Sequence, residues 1–213
     1  MINNYTDRYI FVLLNHLVMT KAEKTRQFIV EQTAPIFNTK GYAGTSLNDI
    51  TEATGLTKGS VYGNFANKDE VALAAFDYNA EKMATAINKA MAEQATMAGK
   101  LLVYADLYRA LLTNTLHQGG CPLLNTATEA DDTHPELRKR VLGAILNWKK
   151  HLSALVIKGV ESAEFNQKVN PEQVALTMIA MIEGAIMVSR LTENESHWDL
   201  IMDSLKKNIK QLS

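Results

Sequence analysis

The sequence has 213 residues, of which 46% are hydrophobic and 21% charged, and its net charge is −1. This composition argues against a disordered chain and against a histone-like protein that coats DNA through charge alone. The single cysteine excludes an internal disulfide and any zinc or iron–sulfur site built from several cysteines.

Residues 1–18 differ in character from the sequence that follows. The apolar stretch 9–19 is shorter than the roughly 18 residues that a membrane helix needs, and no longer uninterrupted apolar run is evident. Thr20 and Glu23 form a capping-box pattern, which predicts that a folded domain begins near residue 19. We therefore expect residues 1–18 to be an N-terminal extension, with an ordinary extra helix as the alternative. The stretch also lacks the features of a signal peptide, so we expect a cytoplasmic protein.

From residue 19 onward the sequence predicts an all-α protein. Apolar residues recur with a helical period, and Gly, Asn and Pro mark the helix ends. A strand is not predicted at any point. The predicted helices span residues 21–40, 46–54, 58–65, 68–93, 99–118, 122–131, 135–159, 171–191 and 196–212.

Residues 45–68 carry the most specific pattern. Two short helices on either side of Gly55 are typical of a helix-turn-helix, whose second helix enters the major groove of DNA. Gly55 permits the positive φ that such a turn requires. The second helix begins with short polar residues that suit phosphate contact, namely Thr57, Lys58, Gly59 and Ser60.

The run from Gly55 to Glu70, GLTKGSVYGNFANKDE, resembles the N-terminal domain of the TetR/AcrR family of transcription regulators. The resemblance covers residues 20–70. It implies a three-helix helix-turn-helix DNA-binding domain at 19–67, followed by a helical effector-binding and dimerisation domain at 68–213. On the family's motif, the DNA-binding positions of this sequence are Thr45, Ser46, Thr57, Lys58, Gly59, Ser60, Tyr62, Asn64 and Lys68.

The resemblance also divides these positions by role. It assigns base contacts to Lys58, Ser60 and Asn64, and phosphate contacts to Thr45, Ser46, Tyr62 and Lys68. Gly63 departs from the family, which commonly has a bulkier polar residue there. Residues 20–70 carry six basic and six acidic side chains, so DNA binding is expected to depend on a few placed cations and to show a modest salt dependence.

Apolar and aromatic side chains of the later helices form the candidate effector site, because ligand pockets lie between the helices of bundles. Each of these side chains alone is more often an ordinary core residue than a ligand contact, and only the pocket as a whole is predicted. The candidate residues are Tyr104, Leu107, Tyr108, Leu111, Cys121, Asn125, Trp148, Leu152, Met178 and Ile182.

Cys121 is the only thiol, and it follows two glycines at a predicted helix N-terminus, a position that lowers a thiol pKa. This placement raises the hypothesis of a cysteine that senses oxidants or electrophiles. The alternative is that Cys121 has no chemical role and is a small buried apolar residue of the core. A rival of another class is a thiol-dependent enzyme, although His117 is the only nearby base.

The sequence contains no other pattern that indicates catalysis or metal binding. Its histidines lack the spacing of metal ligands, and we predict neither a catalytic residue nor a metal or cofactor. Glu129, Asp131 and Asp132 form an acidic cluster, which we interpret as a solvated helix end.

The last two predicted helices carry more apolar surface than the edge of one subunit can bury. We therefore predict a two-fold interface of four helices, with an internal hairpin as the alternative. The predicted interface residues are Met181, Ala185, Val188, Trp198, Ile201 and Leu205.

Together these features predict a homodimeric repressor that binds a palindromic DNA operator. Its two recognition helices would address successive major grooves, about 34 Å apart. The resemblance implies release by a small hydrophobic ligand, and Cys121 suggests thiol modification as a second trigger. A helical dimer with a non-functional DNA motif is the remaining alternative.

Overall fold

The computed structural model describes residues 19–112 and 119–213, without the side chains of residues 110–112. In these ranges the chain forms helices and no strand, which confirms the predicted all-α class. The predictions for residues 1–18 and 113–118 lie outside them. The helices are α1 (Lys21–Gly44), α2 (Leu47–Thr54), α3 (Lys58–Tyr62), α4 (Lys68–Ala92), α5 (Met97–Leu112), α6 (Pro122–Ala130), α7 (Pro135–Glu161), α8 (Pro171–Leu191) and α9 (Glu195–Lys210).

The helix starts follow the capping signals of the sequence. The Thr20 hydroxyl accepts the Glu23 N–H and the Glu23 carboxylate accepts the Thr20 N–H, so the predicted capping box is confirmed. The same reciprocal pair at Ser46 and Asp49 opens α2. Such boxes satisfy backbone N–H groups that have no partner within the helix.

Within the described ranges, two helix ends differ from the predictions by more than two residues. α1 continues to Gly44 instead of ending at residue 40, but Gly41 interrupts it with a φ of 71° and a ψ of 178°. α3 ends at Tyr62 and not near Phe65, because the chain turns at Gly63 and Asn64. The recognition helix is therefore shorter than the sequence predicts.

Buried apolar side chains form two separate clusters. The smaller cluster joins α1, α2, α3 and the start of α4, and it consists of Ile29, Val30, Ile50, Val61, Phe65 and Val71. The larger cluster fills the space between α4 and the helices that follow it. α4 contributes Val71 to the first cluster and Phe76 to the second, so this one helix connects the two cores.

α8 packs against α5, α7 and α9. It is the one helix in the described ranges that is long and apolar enough to cross a membrane by length and composition. Glu183 lies in its middle, so the helix contains no uninterrupted apolar run of that length. Its inner face is buried in the larger cluster, as expected of a core helix, whereas its outer face exposes Leu176, Met187 and Leu191.

Candidate functional site

The turn between α2 and α3 has the predicted geometry. Gly55 adopts the left-handed conformation, with φ 66° and ψ 9°, and its N–H donates to the Thr51 carbonyl at 2.9 Å. The Thr57 hydroxyl caps α3 by accepting the Ser60 N–H at 3.2 Å. Ile50 and Val61 are fully buried between the helices. α3 is thus held against α2 by its apolar side, which leaves its polar start facing outward.

Arg26 braces the end of the recognition helix, a role that the sequence pattern did not indicate. Its guanidinium lies 3.9 Å above the Phe65 ring, donates to the Asn64 carbonyl and forms an ion pair with Glu70 at 2.6 Å. Glu70 also accepts the Ala66 N–H at 2.7 Å. These contacts fix the turn after α3 to both α1 and α4.

Six of the predicted DNA-binding residues are exposed, one at the start of α2 and the others along α3. Tyr62 is 38% exposed, and the Lys58 ammonium lies 6.0 Å from the centre of its ring. Hydroxyl, ammonium and phenol groups of this kind can contact phosphate oxygens and base edges. The six residues are Ser46, Thr57, Lys58, Gly59, Ser60 and Tyr62.

The other three predicted DNA-binding residues have structural partners. Thr45 is 1% exposed and its hydroxyl donates to the Gly41 carbonyl at 2.6 Å, so the predicted phosphate contact of this side chain is wrong. The Asn64 amide donates to the Ser60 carbonyl at 2.9 Å, which leaves its second N–H and its oxygen for a base. The half-buried Lys68 ammonium donates to two carbonyls at the end of α1, at 2.9 and 3.0 Å, and retains one N–H.

Glu129 connects α6 to the kink in α1. Its carboxylate accepts the N–H groups of Tyr42 and Ala43 at 2.7 and 2.8 Å. A Cβ placed at Gly41 would lie 2.5 Å from this carboxylate, so the close approach depends on glycine. The interpretation of Glu129 as part of a solvated acidic cluster is therefore wrong.

The contact between α1 and α6, which we call the α1–α6 seam, also contains Asn38 and Asn125. The Asn38 amide donates to the Gly120 carbonyl at 3.1 Å, and the Asn125 amide donates to the Asn38 and Gly119 carbonyls at 3.1 and 2.9 Å. An open cleft of about 720 Å³ follows the seam. Asn125 thus joins the two helical units and does not line the interior site that the sequence predicted.

The start of α4 meets α1 and α7 around Tyr42. The Tyr42 hydroxyl donates to the Asp69 carboxylate, and this bond, followed by burial, raises the Tyr42 pKa to about 12. The His134 ring packs edge-on against Tyr42 with centroids 4.5 Å apart. Any tilt of α4 would therefore disturb contacts with both α1 and α7.

The structure brings most of the candidate effector residues together inside the larger cluster. Trp148 stacks with Tyr104 and Tyr108, with ring centroids 5.8 and 5.2 Å apart. Leu107 packs against the cluster, and the side chain of Leu111 lies outside the described part of the chain. The buried members of the candidate set are Tyr104, Tyr108, Cys121, Trp148, Leu152, Met178 and Ile182.

Cys121 is fully buried, and its thiol donates to Glu183 Oε1 at 3.1 Å. Burial, followed by the nearby Glu183 carboxyl, raises the Cys121 pKa well above its ordinary value. Desolvation outweighs the helix N-terminus, so this environment favours the neutral thiol and the alternative of a small buried residue over the sensing cysteine. Burial also raises the pKa of Glu183 to about 7.

Half of the predicted interface residues are buried within the subunit. Ala185, Trp198 and Leu205 are at most 2% exposed, so they cannot reach a partner and their assignment is wrong. Met181, Val188 and Ile201 are half-buried. The apolar side chains that α8 and α9 expose instead are Leu176, Met187, Leu191 and Leu200.

Among the described residues, no group of three or more His, Cys, Asp or Glu side chains could hold a metal ion.

Models of two protein families match the chain. The model described as bacterial regulatory proteins of the tetR family matches residues 29–75, which include α2, α3 and their turn. The model described as the tetracyclin repressor-like C-terminal domain matches residues 97–205. The chain belongs to the TetR family. It is a DNA-binding transcriptional regulator with a helix-turn-helix domain followed by a helical C-terminal domain, as the sequence resemblance implied.

Similar proteins of known structure share both domains. A TetR-family regulator from Cytophaga hutchinsonii is 47% identical, with a TM-score of 0.89 over 92% of this chain and 98% of that one. A TetR regulator from Chloroflexus aurantiacus is 39% identical, with a TM-score of 0.86 over 91% and 98% of the two chains. The transcriptional repressor DhaR of Mycobacterium sp. is 25% identical over 82% of this chain and 86% of its own length.

Proposed function

We propose that this TetR-family protein is a cytoplasmic, homodimeric repressor that binds a palindromic operator and is released by a small hydrophobic ligand. The observation that carries the proposal is the exposed polar surface of α3, on a helix fixed by Gly55 on one side and Arg26 on the other. A rigid recognition helix with free side chains suits sequence-specific contact in the major groove. The relative DhaR is named a repressor, which supports repression rather than activation.

The unpartnered outer face of α8 supports the homodimer. Leu176, Ala180, Gly184, Met187 and Leu191 recur every three or four residues along that face, which makes a continuous stripe on the helix. Leu176 and Met187 are each 49% exposed, and Leu191 is 79% exposed. A Cβ at Gly184 would meet nothing within 4 Å, so another helix can approach closely there. Exposed apolar stripes of this kind mark protein interfaces.

The seam between α1 and α6 supports ligand-controlled release. Glu129 and Asn125 fix α6 to α1, and Lys68 fixes α4 to the same end of α1. A ligand that favours another arrangement of the larger cluster would shift α4 and α6, and with them the two recognition helices. DNA release follows when the ligand binds the DNA-incompetent arrangement more tightly.

Two alternatives are less well supported. Thiol modification as a trigger, and an enzyme that uses Cys121 as a nucleophile, both need a reactive thiolate. The buried thiol with its raised pKa disfavours each of them.

Selection of bound duplexes from a random DNA pool at physiological salt tests the proposal. We expect enrichment of a palindrome with half-sites about one helical turn apart. The Lys58→Ala/Tyr62→Phe double variant, whose changes lie on the exposed surface, should lose this enrichment while keeping its fold. Absence of enrichment after reduction and removal of copurified ligands would contradict the proposal and favour a helical dimer with a non-functional motif.

A further inference from the structure

Among the described residues, three buried side-chain atoms have no hydrogen-bond partner, namely Ser189 Oγ, Glu183 Oε2 and Trp148 Nε1. Glu183 Oε1 accepts the Cys121 thiol, but Glu183 Oε2 is shielded from solvent and unpartnered. The indole Nε1 of Trp148, whose side chain is 8% exposed, is also unpartnered. Buried polar groups are nearly always hydrogen-bonded, and an orphaned one carries a free-energy cost. Two orphans in one region indicate a place that a ligand completes.

Tyr108 connects these two groups. Its ring stacks on Trp148. Burial raises the pKa of Tyr108 well above its ordinary value, and the nearby Cys121 and Glu183 groups raise this pKa further. Tyr104 stacks on Trp148 with centroids 5.8 Å apart, and its ring is tilted against that of Tyr108 with centroids 6.3 Å apart. The unpaired carboxyl oxygen thus lies beside a group of three aromatic rings.

Within the described part of the chain, no basic side chain compensates the Glu183 carboxylate. Its pKa responds only to burial, which raises it, and to the Cys121 thiol, which lowers it. Near neutral pH a proton therefore neutralises the carboxylate in part of the molecules, since an isolated buried charge is costly.

We propose that the cluster formed by Glu183, Trp148, Tyr104 and Tyr108 binds a hydrophobic organic cation, such as an aromatic amine or a quaternary ammonium compound. The positive group replaces the proton on Glu183, and the apolar part lies against the aromatic rings. Aromatic faces attract cations, and the attraction grows when water is excluded. An oxygen on the ligand would accept the Trp148 N–H. The inference rests on the proposed function in one respect only, namely that the bound cation is the effector that releases DNA.

A pair of isosteric probes tests the charge requirement. Phenyltrimethylammonium and tert-butylbenzene have the same shape but differ by one positive charge. Titrated into the DNA-free protein and followed by tryptophan fluorescence, the cation should bind about tenfold or more tightly than the neutral probe. Glu183→Gln should abolish this preference, whereas Glu161→Gln, at an exposed acid at the end of α7, should leave it intact. Equal binding of the two probes, no binding of the cation, or an unchanged preference in Glu183→Gln would each overturn the inference.

Proton release gives a second measurement that needs no variant. With a pKa of about 7, Glu183 holds a proton in about half of the molecules at pH 7, and the bound cation displaces it. Calorimetry in two buffers of different ionisation enthalpy should therefore detect release of about half a proton per site for the cation and none for the neutral probe. No release with the cation would overturn the inference. Neither experiment uses DNA, so a failed operator selection and a failed cation site are distinguishable.

Discussion

Glu129 on α6 accepts the backbone N–H of Tyr42 at 2.7 Å, although the two residues are 87 positions apart in the sequence. The second carboxylate oxygen accepts the neighbouring Ala43 N–H at 2.8 Å. One side chain of the C-terminal helices thus holds the end of the helix on which the DNA-binding unit is built. Charge-assisted bonds of this kind are among the stronger hydrogen bonds in proteins.

Removal of the Glu129 carboxylate should therefore destabilise the fold. In Glu129→Ala, the half-buried Tyr42 N–H loses its acceptor, and we expect the free energy of unfolding to fall by about 1–3 kcal/mol. Glu129→Gln retains one acceptor oxygen and should lose less. Urea denaturation measures both variants, with Asp132→Ala at a neighbouring exposed acid as the control. An equal loss in Asp132→Ala would contradict the assigned role.

The exposed face of α3 makes a prediction about operator binding. Tyr62→Phe removes one hydroxyl and should weaken binding about fivefold per subunit, because a single hydrogen bond contributes about 1 kcal/mol. Lys58→Ala removes an exposed cation and should weaken binding about tenfold or more. Titration of labelled operator, once selected, measures both effects. Lys89→Ala, at an exposed lysine near the far end of α4, should bind as the unchanged protein does.

Local signals were sufficient to predict the helix caps and the turn that build the candidate DNA-binding surface. The capping residues Thr20 and Ser46 and the turn at Gly55 act through neighbours three or four positions away, so the sequence alone reveals them. The family motif then separates surface from core along α3. It does not reveal that Thr45 is buried, because that burial depends on how α1 bends at Gly41.

The residues that connect distant helices were not predictable in the same way. Glu129 and Arg26 have partners on other helices, and pairs so far apart in the sequence leave no pattern among neighbouring residues. The interface prediction included three buried residues for a related reason. The apolar residues of α8 and α9 occupy both faces, and only the packing shows that Ala185 and Trp198 point inward while Leu191 points outward. Glu183 did leave a signal, as the only charged residue between Val174 and Ser189.

The buried carboxyl of Glu183 makes stability depend on pH. Its pKa rises from 4.5 to about 7 on folding, so between these values the folded protein holds a proton that the unfolded chain has released. Stability therefore falls as the pH rises through this range, by up to about 3 kcal/mol. Glu183→Gln removes the titration, and we expect the variant to match the unchanged protein near pH 4 and to exceed it at pH 8.

Denaturation curves collected from pH 4 to pH 8 measure this difference. Glu161→Gln, whose side chain is exposed, should follow the unchanged protein across the whole range. Parallel curves for Glu183→Gln and the unchanged protein would mean that the carboxyl is solvated and not buried among the aromatic rings.

The outer stripe of α8 makes a prediction about assembly. Leu191 is 79% exposed within the subunit, so Leu191→Glu costs the isolated fold little. In a dimer through this stripe, the same change would bury a charge without a partner, which is strongly unfavourable. We expect Leu191→Glu, and more so Met187→Glu/Leu191→Glu, to be monomeric by light scattering and to lose tight operator binding, because one subunit carries only one recognition helix. Leu142→Glu, at a 53% exposed leucine on α7, is the matched control and should remain dimeric. If the double variant remains dimeric and Leu142→Glu becomes monomeric, the interface lies on α7 and not on α8.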